Sequence, residues 1–346
     1  MLLSAVYKTR YILPIVGLLL IVACLTPLYA QEDNADIVID GTPHAPDEII
    51  RIPENSKLAY QIEAPEDTTV TKTAQKHEVF KDIYYIDQSG GNRRILMYML
   101  SDSASNMLHW SEVMFSDKDY AGALTEYRNI AAIEPDFHHI MTLIGDAYFM
   151  MEQCDSSIYY FRTAINRNFI DFDAHWFLAD ALIKTGQPEE AVKEITIAHI
   201  LNVYHEDIYK IMKQFRDNVG RPWKEWSFDP VYQLNEEGGT VHVRVREPWI
   251  GYAMVKAIWK YEPGYAEQMG IENHSDSAVY ATEESEAILS YFAQNPGDDN
   301  LKRIISDGFL EEFIKYEIAL RKLPRTGMLF SEAEFRRMIE YLDKYH

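Results

Sequence analysis

A spacing of 34 residues governs the middle of this chain. Gly145 and Ala179, Ser157 and Ala191, Phe161 and Ile195, and Ala164 and Ala198 each stand 34 apart, and one step back the register reaches Ala123, Tyr127 and Ile130, with Pro135 closing that first unit. A period of this length marks a supersecondary unit that cannot bury its apolar face alone and stacks on copies of itself. The residue types give each position a packing reason. Small side chains at 123, 145, 179, 191 and 198 let two helices approach, while Tyr127, Phe161 and Ile195 fill the space between units. Gly186-Gln187-Pro188 supplies a turn and then a proline at a helix start, where its missing N–H costs nothing.

The second unit also carries Ile144-Gly145 and Tyr148. On these residues the stretch from about 104 to 205, the central third of the chain, resembles the tetratricopeptide repeat (TPR) family. It departs from the family pattern at Ser111, where glycine is favoured, and at Phe169, where proline is usual. The resemblance implies a solenoid of three helix-turn-helix repeats. It also implies that the first helix of each repeat lines a concave groove, with the second, fifth, ninth and twelfth positions of the unit pointing in. Carried onto this chain, the second positions are Ser105, His139 and Asp173, and the fifth are Leu108, Thr142 and Trp176. The ninth positions are Glu112, Asp146 and Asp180, acidic in all three units, and the twelfth are Phe115, Phe149 and Ile183. An acidic row between aromatic and aliphatic rows suits a basic protein or peptide partner with apolar anchors. TPR proteins that clamp a peptide's terminal carboxylate use Lys, Arg and Asn in the groove, a set this chain lacks.

Outside the repeats the pattern changes. Residues 31–78 are rich in Asp, Glu, Thr and Pro and show no sustained apolar period, which reads as an acidic flexible leader with at most a short strand. From Arg93, the residues Ile95, Leu96, Tyr98 and Met99 suggest a helix flanking the array, so that the repeat domain covers 79–219. Ile208, Ile211, Met212 and Phe215 predict a capping helix. Beyond Gly220-Arg221-Pro222, a C-terminal unit over 220–346 opens with a β-hairpin: Val241, Val243 and Val245 alternate with polar residues after Gly238-Gly239. Helical patterns follow near 250–261, 282–294, 299–322 and 331–345. The fold class is therefore mainly α, a TPR-type solenoid plus capping helix followed by a mainly helical unit with one hairpin.

Lys8 and Arg10 precede an apolar run from Tyr11 to Leu25, shorter than a membrane span and suited to a secretory signal. The chain is expected to be exported, to the periplasm or an outer-membrane-associated position if it comes from a Gram-negative bacterium. Two processing sites compete. Cleavage after Leu28-Tyr29-Ala30 would remove residues 1–30, whereas Ile21-Val22-Ala23-Cys24 resembles a lipobox and would remove 1–23 and lipidate Cys24. Membrane contact is expected only through such a lipid or an uncleaved anchor. Either cleavage leaves Cys154 as the one remaining thiol, so no intramolecular disulfide is available.

The formal charge of −21 argues against nucleic acid, because phosphate binding needs clustered Lys and Arg. No HExxH, GxSxG, Walker or dinucleotide pattern appears. His138-His139 lacks the i, i+4 spacing of a helical metal pair, so no metal and no cofactor are expected. Glu283-Glu284 and Glu311-Glu312 read as solvated helix faces. The aromatic stretch Arg246–Tyr265 reads as core, since Tyr252, Val255 and Trp259 share one helix face. The function expected from sequence is a non-catalytic adaptor in a cell-envelope assembly. One alternative is an envelope enzyme using His242, His274 and nearby acids; another is a structural subunit whose groove is filled by its own residues from 31–78.

Overall fold

A computed structural model describes residues 37–38, 42–65, 79–81, 83–89 and 93–346. The expected signal segments and Cys24 lie outside the described residues. Within them, no helix is long and apolar enough to cross a membrane.

The chain enters through β1 (Ile37–Val38), α1 (Pro46–Ile49), α2 (Ile52–Asn55) and β2 (Ala59–Glu63). Over the described residues 37–38 and 42–65, these elements correct the expectation of a flexible leader over 31–78. Strand β2 runs parallel to a strand of the C-terminal hairpin across five residue pairs, Ala59↔Thr240 to Glu63↔Arg244. Ile49 is buried, and Ser56 and Tyr60 both donate to Glu262. The segment lacked an apolar period because it does not build a core of its own. It adds an edge strand to someone else's sheet, where the partner strand supplies the hydrogen bonds.

A second correction follows at 93–99. Instead of a helix, β3 (Tyr84–Asp87) and β4 (Arg94–Met97) form an antiparallel hairpin from Tyr84↔Met97 to Asp87↔Arg94. A short apolar run fits helix and strand periods equally. Pairing with Tyr84–Asp87 decides between them, and Arg94 seals the end of the ladder against Asp87 at 2.5 Å.

Six helices then make three pairs: α3 (Asp102–Ser116) with α4 (Tyr120–Ile133), α5 (Ile140–Met150) with α6 (Cys154–Arg167), and α7 (Phe172–Lys184) with α8 (Pro188–Leu201). Their starts are capped where the sequence offers an acceptor: Ser101, Asp119 and Asp171 accept from the N–H groups of Ala104, Gly122 and Ala174. A Cβ added at Gly145 would sit 2.6 Å from the Phe161 ring, so the small-against-large packing inferred from the period is literal. Phe161 and Ile195 are fully buried and Tyr127 nearly so. The turn inside each pair passes through a left-handed residue at the same register: Lys118 (φ 68°), Glu152 (φ 62°) and Gly186 (φ 80°). Helix α9 (Glu206–Asn218) caps the array, burying Ile208, Ile211, Met212 and Phe215.

The hairpin β5 (Tyr232–Glu237) and β6 (Thr240–Val245) forms with β2 a sheet of order β2-β6-β5. Val241, Val243 and Val245 face α10 (Ile250–Tyr261), with Ala253 and Ala257 in the same buried cluster. There follow α11 (Tyr265–Gln268), β7 (Val279–Tyr280) paired in parallel with β1, α12 (Ala281–Gln294) and α13 (Asp299–Ser306). The expected helix over 299–322 is broken. Gly308 at φ 75° stops α13, and the chain resumes as α14 (Leu310–Phe313), a π-helical turn over Ile314–Ala319 and α15 (Leu320–Lys322). A 3-10 stretch (Pro324–Leu329) and α16 (Glu332–Tyr345) complete the chain.

These last elements pack on the array rather than beside it. A Cβ at Gly327 would meet the Ile200 carbonyl oxygen at 2.6 Å, Arg216 of the capping helix reaches Asp343 at 2.7 Å, and His199 bonds the Tyr316 hydroxyl at 2.8 Å. The expected boundary near 220 is a loop between packed elements of one unit.

Candidate groove and buried polar clusters

The first helices of the three pairs carry the residues assigned to the groove, and the structure brings the second and third units' contributions together. Thr142 is fully buried, and His139, Asp146, Phe149, Trp176 and Asp180 are 5–7% exposed. Leu108, Glu112, Phe115, Asp173 and Ile183 are half-buried, and Ser105 is exposed. Asp146, Phe149, Asp173, Trp176 and Asp180 all have interaction partners.

His139 and Thr142 do not stand as isolated groove positions. Both converge on Asp171, with His139 Nδ1 and the Thr142 hydroxyl each 2.8 Å from the Asp171 carboxylate. Asp171 also caps α7 through the Ala174 N–H at 3.2 Å. Burial alone would lower the His139 imidazole, but the charge and hydrogen bond of Asp171 outweigh it and hold it at about 9. Burial likewise opposes the charge on Asp171, and His139 more than compensates, keeping that carboxyl below its usual value. The lock ties the start of α5 to the start of α7. Sequence reasoning missed Asp171, although its place three residues before Ala174 at a helix start is an N-cap signal.

Ligand atoms of His139, Asp171 and Asp173 lie within 4.8 Å of one another. That geometry would admit a cation. However, the His139 and Asp171 atoms are already spent on each other, on Thr142 and on the helix cap, so the donor set reads as a lock. Glu112 accepts from the Tyr127 hydroxyl at 2.6 Å. Burial pushes its carboxyl up, Tyr127 opposes, and Asp146 adds to the rise.

A second periodic row escaped the sequence reading. Glu134, Asn168 and Asn202, at one-repeat spacing, are the residues that end α4, α6 and α8. Each holds the chain that precedes the array. Glu134 accepts from the Ser101 N–H and the Tyr98 hydroxyl, both at 3.2 Å; Asn168 donates to the Tyr84 carbonyl at 2.8 Å. Asn202 both accepts from the Phe80 N–H at 3.2 Å and donates to its carbonyl at 3.0 Å. The chain before the array is thus clasped once per repeat, at Phe80, at Tyr84 and at Tyr98 with Ser101. The 34-residue period already contained this signal.

In the C-terminal unit the acids expected on solvated faces are buried instead. Glu283 and Glu284 are 3% exposed, and Glu312 is 6%; only Glu311 of the two pairs is exposed. Lys256 bridges Glu283 at 2.5 Å and Glu284 at 2.8 Å, His274 meets Glu283 at 2.9 Å, and Tyr252 donates to Glu284. Burial opposes the Lys256 charge, but the two carboxylates raise its pKa well above the ordinary lysine value. Arg337 pairs with Glu312 at 2.9 Å. The partners came from α10 and α16, distant in sequence, and no local pattern announced them. Of the rival catalytic candidates, His242 meets Glu63 of β2 at 2.6 Å and His274 sits in the Lys256 cluster, so the two belong to separate networks. Tyr252 and Trp259 are buried, as the core reading of the aromatic stretch requires.

The helix pairs are TPR-like in period, packing and turn register. No protein-family model matches the chain, and no curated protein matches it. Among solved structures, the Yersinia enterocolitica type III secretion chaperone SycD in complex with a peptide of the translocator YopD is 13% identical, covering 35% of this chain and 92% of that one, with a TM-score of 0.32. The first TPR of Spaghetti (RPAP3), bound to an HSP90 peptide, is 16% identical over 35% of this chain and 97% of that one, at 0.33. The Arabidopsis OM64 TPR domain is 12% identical over 34% and 96%, at 0.32.

Proposed function

We propose that this chain is an exported, non-catalytic adaptor of a cell-envelope assembly whose TPR-like array holds a basic peptide segment with apolar anchors. One observation supports this reading above the others. The ninth positions Glu112, Asp146 and Asp180 repeat a carboxylate once per unit along the first helices, beside Phe149 and Trp176. A carboxylate recurring once per unit beside apolar side chains complements a segment that carries bases and apolar anchors, which is what a binding role accounts for.

The test is crosslinking and recovery from intact envelopes of the wild type beside a Glu112→Gln, Asp146→Asn, Asp180→Asn triple variant, after matching their thermal unfolding. A partner recovered with the wild type and lost from the variant supports the groove; the same partners in equal yield would sink it. The second reading, a groove filled by the chain itself, is favoured by the burial of Asp146, Trp176 and Asp180.

A further inference from the structure

The face by which one repeat stacks on the next can be followed position by position along the array. Helix α5 packs on α4, and α7 packs on α6. In α5 the residues Ile140, Leu143, Ile144 and Ala147 are buried, and 34 residues on, in α7, so are Ala174, Phe177, Leu178 and Ala181, all eight 8% exposed or less. One step back the same positions in α3 are Asn106, His109, Trp110 and Val113. All four are exposed, Trp110 to 62%. The array is therefore finished at one end and open at the other: α9 buries its apolar side on the last unit, whereas the leading face of α3 presents an indole to water. A terminal repeat that only caps a solenoid has a polar outer face, so a tryptophan at the stacking register marks a surface built to be covered.

Charge indicates what covers it. The chain carries a formal −21, with 54 acids against 33 bases, yet the one Asp, Glu, Lys or Arg between Ser103 and Ser116 is Glu112. That carboxylate is half-buried and accepts from the Tyr127 hydroxyl at 2.6 Å, so it belongs to the inner side of the helix. Asp102 and Asp117 stand only at the two ends. Depletion of charge around an aromatic residue is the composition of an interface core. A partner of either charge would find nothing here to pair with. For a second copy of the same chain, neutrality is a requirement, because across a two-fold axis each group near the axis meets its own kind and any formal charge there faces a like charge. On so acidic a chain, an uncharged apolar face is where two copies can approach at least electrostatic cost.

From these placements we propose that the chain forms a two-fold dimer through α3, the exposed face of that helix packing antiparallel on the same face of a second copy. Helix α3 runs Asp102–Ser116, with His109 at its midpoint. Antiparallel pairing over the whole length puts the axis beside His109 and buries Trp110 of each copy. The His109 and Trp110 rings already lie 5.5 Å apart, edge to face, so the two form one aromatic patch at the centre. Fifteen residues give about 22 Å of helix. A single helix pair is small beside a standard interface of about 1,600 Å², which sets the expected dissociation constant on the order of micromolar. The dimer uses the leading face of the array and does not depend on the assignment of the groove.

Sedimentation velocity of the full chain, from about 1 to 200 μM, tests this. A monomer–dimer equilibrium is expected, and it should tighten as salt is added, because screening removes the repulsion between two acidic bodies and leaves the apolar contact in place. Trp110→Ser, whose thermal unfolding should match the wild type because the indole is exposed, should weaken the dimer at least about tenfold. The sharpest arm places charge at the axis. His109→Asp and His109→Lys should each weaken self-association, and an equimolar mixture of the two should restore it. A chain that stays monomeric throughout, a dimer indifferent to Trp110→Ser, or a mixture no tighter than either variant alone overturns the proposal. A photo-crosslinking residue in place of Asn106, used in intact cells, separates the other occupants: a product joining two differently tagged copies is expected, and capture instead of lipid, of another protein or of a segment of the same molecule overturns the dimer.

Discussion

The repeat array and the C-terminal unit solve the same packing problem with different chemistry. The array buries small residues against large apolar ones: Gly145 against Phe161, with Ala123, Ala179, Ala191 and Ala198 fully buried around the same kind of contact. The array's buried ion pair His139–Asp171 is local to two helix starts, whereas the C-terminal unit buries charge in networks that join several elements. Glu283, Glu284, Glu286, Glu312, Lys315 and Glu317 are all 6% exposed or less, each held by partners from other elements. A repeat contacts mainly its neighbours, so its stability is close to a sum of local terms. A buried ionic network is conditional, because every member depends on all the others being present.

The sharpest way to break that contrast is to remove a network member. Lys256→Met leaves Glu283 and Glu284 buried without their shared cation, and a loss of about 3–5 kcal/mol is expected in chemical unfolding. Adding Glu283→Gln and Glu284→Gln should recover much of it. If Lys256→Met alone costs under about 1 kcal/mol, the unit is held by its apolar core, and the contrast with the array falls.

Two buried histidines of the array, one inside it and one where it meets the C-terminal unit, should respond to pH with opposite sign. His139, in the array, has its folded pKa raised to about 9 from an ordinary 6.5. Its contribution is therefore complete below about pH 6.5 and lost as pH rises through 9, on the order of 3 kcal/mol. His199, where the array meets the C-terminal unit, is held by burial at about 3. Its contribution is complete above about pH 6.5 and lost as pH falls towards 3. Unfolding free energies across pH 4–9 should show the alkaline decline vanish in His139→Gln and the acid decline shrink in His199→Asn. An alkaline decline unchanged in His139→Gln would refute the lock at Asp171.

What was legible beforehand follows the same division. The helix pairs, the cap and the hairpin were readable because each is set by residues near one another in sequence. The placement of the assigned rows along the first helices was readable through the repeat register. The burial of Glu283, Glu284 and Glu312 was not, because a carboxylate beside a carboxylate looks solvated until Lys256 or Arg337 arrives from another helix. Strand β2 was invisible for a similar reason, its partner lying some 180 residues further on. The clasp at 134, 168 and 202 is the instructive failure, since its period was in plain view. Attention to apolar positions alone passed over a polar row.

That row gives a smaller, local test. Asn202→Ala removes both bonds to Phe80, and the cost expected is about 1–3 kcal/mol for the backbone groups left unanswered. Hydrogen exchange should quicken around 79–87 while α5 and α6 keep their protection. Loss of protection throughout the array would mean that the strap is part of the array's cooperative unit rather than an attachment to it.

The smallest effect concerns the turns. In the C-terminal unit, every described left-handed residue is a glycine: Gly220, Gly238, Gly239, Gly264, Gly270 and Gly308. In the array, only Gly186 is, and the equivalent places hold Lys118 and Glu152. A side chain there brings its Cβ against the backbone, a penalty of about 1 kcal/mol that glycine avoids. Glu152 pairs with Lys184 at 3.7 Å, with Glu152 84% exposed, a geometry worth little in water. Glu152→Gly should therefore raise stability by about 0.5–1 kcal/mol despite the extra freedom it gives the unfolded chain. Gly186→Ala should lower it by a similar amount. If Glu152→Gly proves destabilising, the side chain at that turn makes a contact that offsets its strain, and the array's turns would be as specific as the network it is contrasted with.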